Sequence, residues 1–172
     1  MFQVNSYLLK PGCKVTDLDD LVQNPQNYFV EITDSKSLGA IRHKLNFKYL
    51  DGAICLQYYD QVLMDYRYWD SVDMLWSSIL DLVDDVLQKG EGREYFPDQP
   101  VKLGLKPAHK NWLIFSIEDS RTSRFLLPRN EFLLALVQGA EQFFNVMIHG
   151  FGLAGKYACE LEKLKRLKDE LQ

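Results

Sequence analysis

Between Tyr68 and Lys89 apolar residues recur every three or four positions, and Trp69, Val72, Trp76, Ile79, Val83 and Val86 fall on one stripe of a helix. A second stripe of the same segment is polar and acidic, with Asp70, Asp73, Ser77, Asp81, Asp84 and Gln88. Gly90 supplies the stop, because glycine accepts the left-handed conformation that closes a helix. The spacing predicts a second long helix over about Arg129 to His149, where Phe132, Leu133, Leu136, Val137, Ala140, Phe143 and Phe144 widen the apolar face. Gly150 and Gly152 break it. A last helix is predicted over Leu153 to Leu171, with a thin stripe of Tyr157, Leu161, Leu164 and Leu171 among Lys163, Lys165, Arg166, Lys168 and Asp169.

The period shortens to two elsewhere. Phe2 to Leu9 reads as an edge strand ended by Pro11-Gly12. Thr16 followed by Asp17 and Asp19 marks the cap of a short helix that stops near Asn24-Pro25. Tyr28 to Thr33 and the alternating run Ala40 to Leu50 read as strands, and Asp51-Gly52 as a hairpin turn into a returning strand, Ala53 to Tyr59. Val62 to Asp65 adds a short one. Beyond the first long helix, Glu91 to Pro100 reads as a loop, followed by strands at Val101 to Leu105, Trp112 to Ile117 and Ser123 to Leu127. Runs of strands punctuated by helices predict an α+β fold: an antiparallel β-meander sheet, two long helices packed on one face, and a C-terminal helix. Residues 1–152 form one domain in this reading, and 153–172 a helix that docks on the body or projects from it.

Composition narrows the class. An apolar share of 47% fills a core without disulfide staples, and three scattered cysteines, Cys13, Cys55 and Cys159, predict free thiols in a reducing cytoplasm. Met1 to Lys10 lacks the basic start and long apolar run of a signal peptide, and no window has the length of a membrane span. A net charge of −4 argues against duplex nucleic acid or an anionic membrane as partner. The charge is concentrated: Asp60 to Asp98 holds ten acids against three bases. A solvated helix face is one reading of that run; an acidic patch that steers a basic partner is the other.

Candidate chemistry is sparse. Asp70 with Asp73, or Asp81 with Asp85, shares a helix face, but hard metals draw oxygens from several elements, so neither a metal nor a cofactor is expected. His43, His109 and His149 lie outside metal-ligand spacing of one another and of the cysteines, and no nucleophile elbow or phosphate loop occurs. If the chain is an enzyme, His43, His109 and Glu118 are the residues to test. Lys102, Lys106, Lys110, Arg121, Arg124 and Arg129, with Trp112 and Phe115, form the one basic region. That region fits single-stranded nucleic acid, the polar side of strands, or the acidic helix of a second copy in a homodimer. The acidic total favours the polar side of strands.

The series Tyr68-Trp69-Asp70 to Trp76, then Gly90-Glu91-Gly92 with Tyr95-Phe96-Pro97-Asp98-Gln99-Pro100, then Glu131-Phe132-Leu133 to Gln142-Phe143-Phe144, resembles small bacterial proteins of the kind that serve as immunity proteins in polymorphic or contact-dependent toxin systems. It covers about Ala40 to Phe144. The resemblance implies a cytosolic α+β protein that binds a cognate toxin domain and blocks it. Such proteins share no catalytic motif, so the resemblance carries over no active-site residue. On this reading the chain is a non-catalytic binding protein that covers the cleft of a basic toxin, with Asp73, Asp81, Asp84 and Asp85 steering and Tyr95 and Phe96 anchoring. An unknown enzyme with a pocket between sheet and helices, and an assembly subunit built on the last helix, are the alternatives.

Overall fold

The computed structural model describes residues 1–172 and is α+β, with two antiparallel sheets. Its contacts divide the chain into two compact units, Met1–Asp73 and Met74–Gln172. The division between the units falls in the first turn of the first long helix. The last helix belongs to the second unit.

In the first unit, β1 (Phe2–Leu9), β2 (Phe29–Glu31), β3 (Asp51–Tyr58) and β4 (Gln61–Met64) run in the order β2-β1-β3-β4, and the two-residue β5 (Asp70–Ser71) pairs with β3. The supposed edge strand β1 is thus internal, hydrogen-bonded on both sides. Between β1 and β2 lies α1 (Leu18–Gln23), capped by Asp17, not Thr16: the Asp17 carboxylate accepts from the backbone N–H of Asp19 (2.9 Å) and of Asp20 (3.1 Å). Leu21, Phe29 and Ala53 form a small core there, with Tyr7, Leu9, Val15, Tyr28, Tyr66 and Trp69 packed around it.

Two strand expectations fail in this unit. Ala40 to Leu50 is not a strand: α2 (Ser35–Ile41) and a 3-10 turn, Arg42–Lys44, take its first five residues, and turns and irregular chain the rest. The cause is local, since Asp34 accepts from both the Ser37 N–H (3.0 Å) and the Ser37 hydroxyl (2.6 Å), which starts a helix upstream of the alternating run. Asp51-Gly52 is not a turn either; it opens β3 and pairs with β5. Glycine is required at 52 by close approach, because a β-carbon would stand 2.0 Å from the Tyr7 carbonyl oxygen.

In the second unit, β6 (Gly92–Tyr95), β7 (Lys102–Pro107), β8 (Trp112–Glu118) and β9 (Thr122–Pro128) form a simple meander in chain order. β6 arises inside the segment expected to be loop; paired residue by residue with β7, it makes an edge strand that its glycine and charged residues did not announce. Leu103, Leu105, Leu113, Phe115, Ile117 and Leu127 turn one face inward, and all are buried.

That face is covered by the long helices. The first, α3 (Val72–Lys89), starts four residues later than expected, because a 3-10 turn at Tyr66–Tyr68 and β5 take up its predicted beginning. Leu82 of α3 closes on Gly92, where an added β-carbon would meet its side chain at 3.1 Å. Phe132 of α4 (Arg129–Asn145) packs on Phe115 at 5.2 Å between ring centroids. A π-helical turn, Val146–Gly150, continues α4, and α5 (Ala158–Leu171) begins five residues later than expected. Phe144 meets Tyr157, just ahead of α5, at 5.0 Å, and Leu164 and Leu167 are buried. No helix is long and apolar enough to cross a membrane.

Candidate binding surfaces

The polar stripe of α3 has a partner within its own unit. Ser77 donates to Glu160 (2.9 Å), Asp81 accepts from Lys163, Asp84 receives both terminal nitrogens of Arg166 (2.9 and 2.7 Å), and Gln88 donates to Glu170 (3.3 Å). The contacts advance along both helices in the same direction, so α3 and α5 lie parallel and zip through side chains three and four positions apart. The paired Arg166 holds the Asp84 carboxyl below the usual carboxylate range. Lys168 adds an ion pair to Glu141 of α4 (2.7 Å).

The residues expected to steer a basic partner are therefore placed differently from one another. Asp81 and Asp84 hold α5. Asp85 pairs with Lys89 four residues on (2.7 Å). Asp73 is buried in the first turn of α3, where it accepts from the Ser71 hydroxyl (3.3 Å). Glu94, which sequence reasoning did not single out, joins the group: burial, then Asp81 and Asp85, push its carboxyl up. Tyr95 is 68% exposed, whereas the neighbouring Phe96 is buried and bonded through its N–H to the Val101 carbonyl (2.9 Å). Phe96 thus secures the Pro-rich turn, and only Tyr95 of the two expected anchors faces solvent. In a strand, neighbours point to opposite faces, so Tyr95 and Glu94 leave β6 on different sides and do not converge.

The outer face of the β6–β9 sheet is open. Cross-strand pairing sets Lys106, Ile114 and Leu126 in one row, and Arg93, Gly104, Ser116 and Arg124 in the next. Trp112 stands beyond the first row, and Tyr95, Lys102 and Glu118 beyond the second. Leu126 is 50% exposed and Trp112 36%. Three of the six bases of the expected basic region, Lys102, Lys106 and Arg124, lie on this face; Lys110 and Arg121 sit in the turns at its ends, Arg129 opens α4, and Phe115 points inward. Lys102 pairs with Glu118 at 2.7 Å and draws that carboxyl down. The alternation Trp112, Ile114, Ser116, Glu118 is legible in sequence as one face of a strand, whereas the place of Arg93 depends on the pairing of β6 with β7.

Two of the side chains named for an enzyme, His109 and Glu118, do not meet. His109 packs beside Trp112 (6.5 Å between rings) at the start of β8, and Glu118 ends the same strand, about 20 Å away at the rise of an extended chain. His43 lies exposed in the first unit. That unit has a shallow groove of about 190 Å³ lined by Asn5, Tyr7, Cys55, Gln57, Asp65 and Tyr66 among others. Burial and the nearby Asp65 push the Cys55 thiol up to about 12, and burial raises Tyr7 and Tyr66. A thiol so far from ionising is a poor nucleophile, and Asp65 is the one carboxylate among the amides and phenols that line the groove. Cys13, Cys55 and Cys159 are all free. Compared with protein-family models, with curated proteins and with solved structures, the chain finds no match in any of the three.

Proposed function

We propose that this chain is a non-catalytic binding protein of the cytoplasm that acts by covering a protein partner, the role of an immunity protein. One observation carries the reading: on the outer face of the β6–β9 sheet Trp112, Ile114 and Leu126 adjoin exposed cations. Aromatic and arginine side chains around an apolar centre are the composition of recognition surfaces, where a few such residues carry most of the affinity. The face sits on a paired sheet backed by α3 and α4, so binding orders little backbone. The acidic stripe gives the earlier choice of site less support, because Asp81 and Asp84 are engaged by α5.

Co-expression with any toxin domain found encoded beside this chain tests the reading. A stoichiometric complex in which Trp112 is shielded from a soluble quencher is expected, and Trp112→Ala weakens it about 30-fold. A complex that forms equally well with Trp112→Ala and Leu126→Ala rejects this face as the binding surface.

A further inference from the structure

Resting on that assignment of the face, we infer that its occupant is an acidic, amphipathic segment of a protein partner, gripped by Arg93 and Arg124 and seated on Trp112, Ile114 and Leu126. The sequence reading expected the opposite charge.

The row Arg93, Gly104, Ser116, Arg124 crosses the four strands. At the usual strand spacing the two arginines stand about 14 Å apart. Between them lie only small residues: Gly104, which is buried, and Ser116, whose hydroxyl oxygen would stand 2.6 Å from a β-carbon added at Gly104. The row is therefore a low strip with an exposed arginine at either end. Lys106, Ile114, Leu126 and Trp112 lie on one side of it, and Lys102, Tyr95 and Glu118 on the other.

Charge selects the occupant. Glu118 is taken by Lys102, which leaves Arg93, Lys106 and Arg124 as net positive charge on this face. Arginine is the better cation here because its planar fork meets a carboxylate through two parallel hydrogen bonds. Those cations belong to a unit in which Lys and Arg are outnumbered by Asp and Glu, thirteen against fourteen. A polyphosphate would meet the field of that whole unit, whereas a short segment with a few carboxylates meets mainly the face. The apolar end points the same way. Ile114 and Leu126 offer aliphatic surface for Leu, Phe or Met side chains, and only Trp112, with the His109 ring beside it, offers a face to a stacked base at that end.

The test pans a random-peptide display library on the full chain and measures the selected peptides by fluorescence anisotropy. Peptides that place Asp or Glu beside Leu, Phe or Trp are expected. Arg93→Glu and Arg124→Glu should each weaken them at least about tenfold, Arg→Lys less, and added salt should weaken them further. Asp85→Lys, on α3, should leave them unchanged. Matching melting temperatures show that the exposed arginine variants fold. If Trp112→Ala abolishes binding but charge reversal does not, the face stands as a binding surface and the acidic occupant is overturned. Basic peptides overturn it too, as does an oligothymidylate that binds this face and is lost in the arginine variants. Peptides indifferent to all these substitutions, or no enriched peptide, overturn both the occupant and the face.

Discussion

At the scale of single residues, backbone crowding and local charge set the sharpest constraints. Gly52 lies where β3 passes the Tyr7 carbonyl, so Gly52→Ala must push β1 away from β3. A loss of about 3 kcal/mol in urea unfolding is expected, at the upper end of overpacking effects; a variant as stable as the parent would show that the strands part easily. Glu94 behaves in the opposite sense. Its carboxyl is raised in the folded state, so folding takes up protons and stability falls as pH rises from the unfolded to the folded value. The penalty is fully present at neutral pH, and Glu94→Gln should raise the melting temperature there and have no such benefit in acid, where the carboxyl is protonated in both states. An equal gain at both pH values would assign the effect to something other than charge. Neither constraint was legible in advance. Asp-Gly reads as a turn unless the second strand beside it is known, and the crowding of Glu94 depends on α3 lying over β6.

Among elements, the outcome depended on whether a pattern needed a distant partner to be understood. The apolar stripes of α3 and α4 place the helices over one sheet face because their periodicity alone demands burial. β7, β8 and β9 were legible for the same reason, being short alternating runs between turn residues. Ala40 to Leu50 alternates equally well, yet no neighbouring strand takes it up, and Asp34 commits the chain to α2 first. The polar stripe of α3 was read correctly as a stripe, but its purpose was hidden in the spacing of Glu160, Lys163, Arg166 and Glu170, some 82 positions away. A double-mutant cycle on Asp84→Ala and Arg166→Ala should give a coupling of about 0.5–1 kcal/mol at neutral pH, as partly exposed bidentate pairs do. Because the Asp84 carboxyl is depressed, that coupling is present above the ordinary carboxylate value and disappears as pH falls through the lower folded value. A coupling that survives in strong acid would mean the pair acts by packing and not by charge.

For the whole molecule, the sheet face and the helix seam separate two uses of charge. One sign is spent inside the second unit, where α5 takes up the acids of α3; the other is displayed on the opposite side of its sheet. Removing Gly155 to Gln172 should therefore lower the melting temperature and raise the fluorescence of a dye that binds apolar surface, since Phe144 loses Tyr157. An unchanged melting temperature would show that α5 rests on the body without supporting it. The α+β class was legible from the succession of periods, but the partition of the strands into two sheets was not, because nothing in a strand's own residues says which other strand it joins. The binding face was half legible: its cations and its Trp112 were noticed, and their common side emerged only with the register of β6 to β9.

The parallel seam between α3 and α5 also imposes an order on events. A ribosome finishes α3 long before it reaches Arg166, so through that interval the growing chain carries an acidic helix with no basic mate. Like charges keep such a strip apart from its neighbours on other nascent chains, which favours waiting over aggregation. When α5 emerges, the same acids attract its Lys163 and Arg166 and draw it home. A product cut short before Lys163 would keep the strip uncovered, and it would differ from the finished protein at the position a protease or chaperone could read.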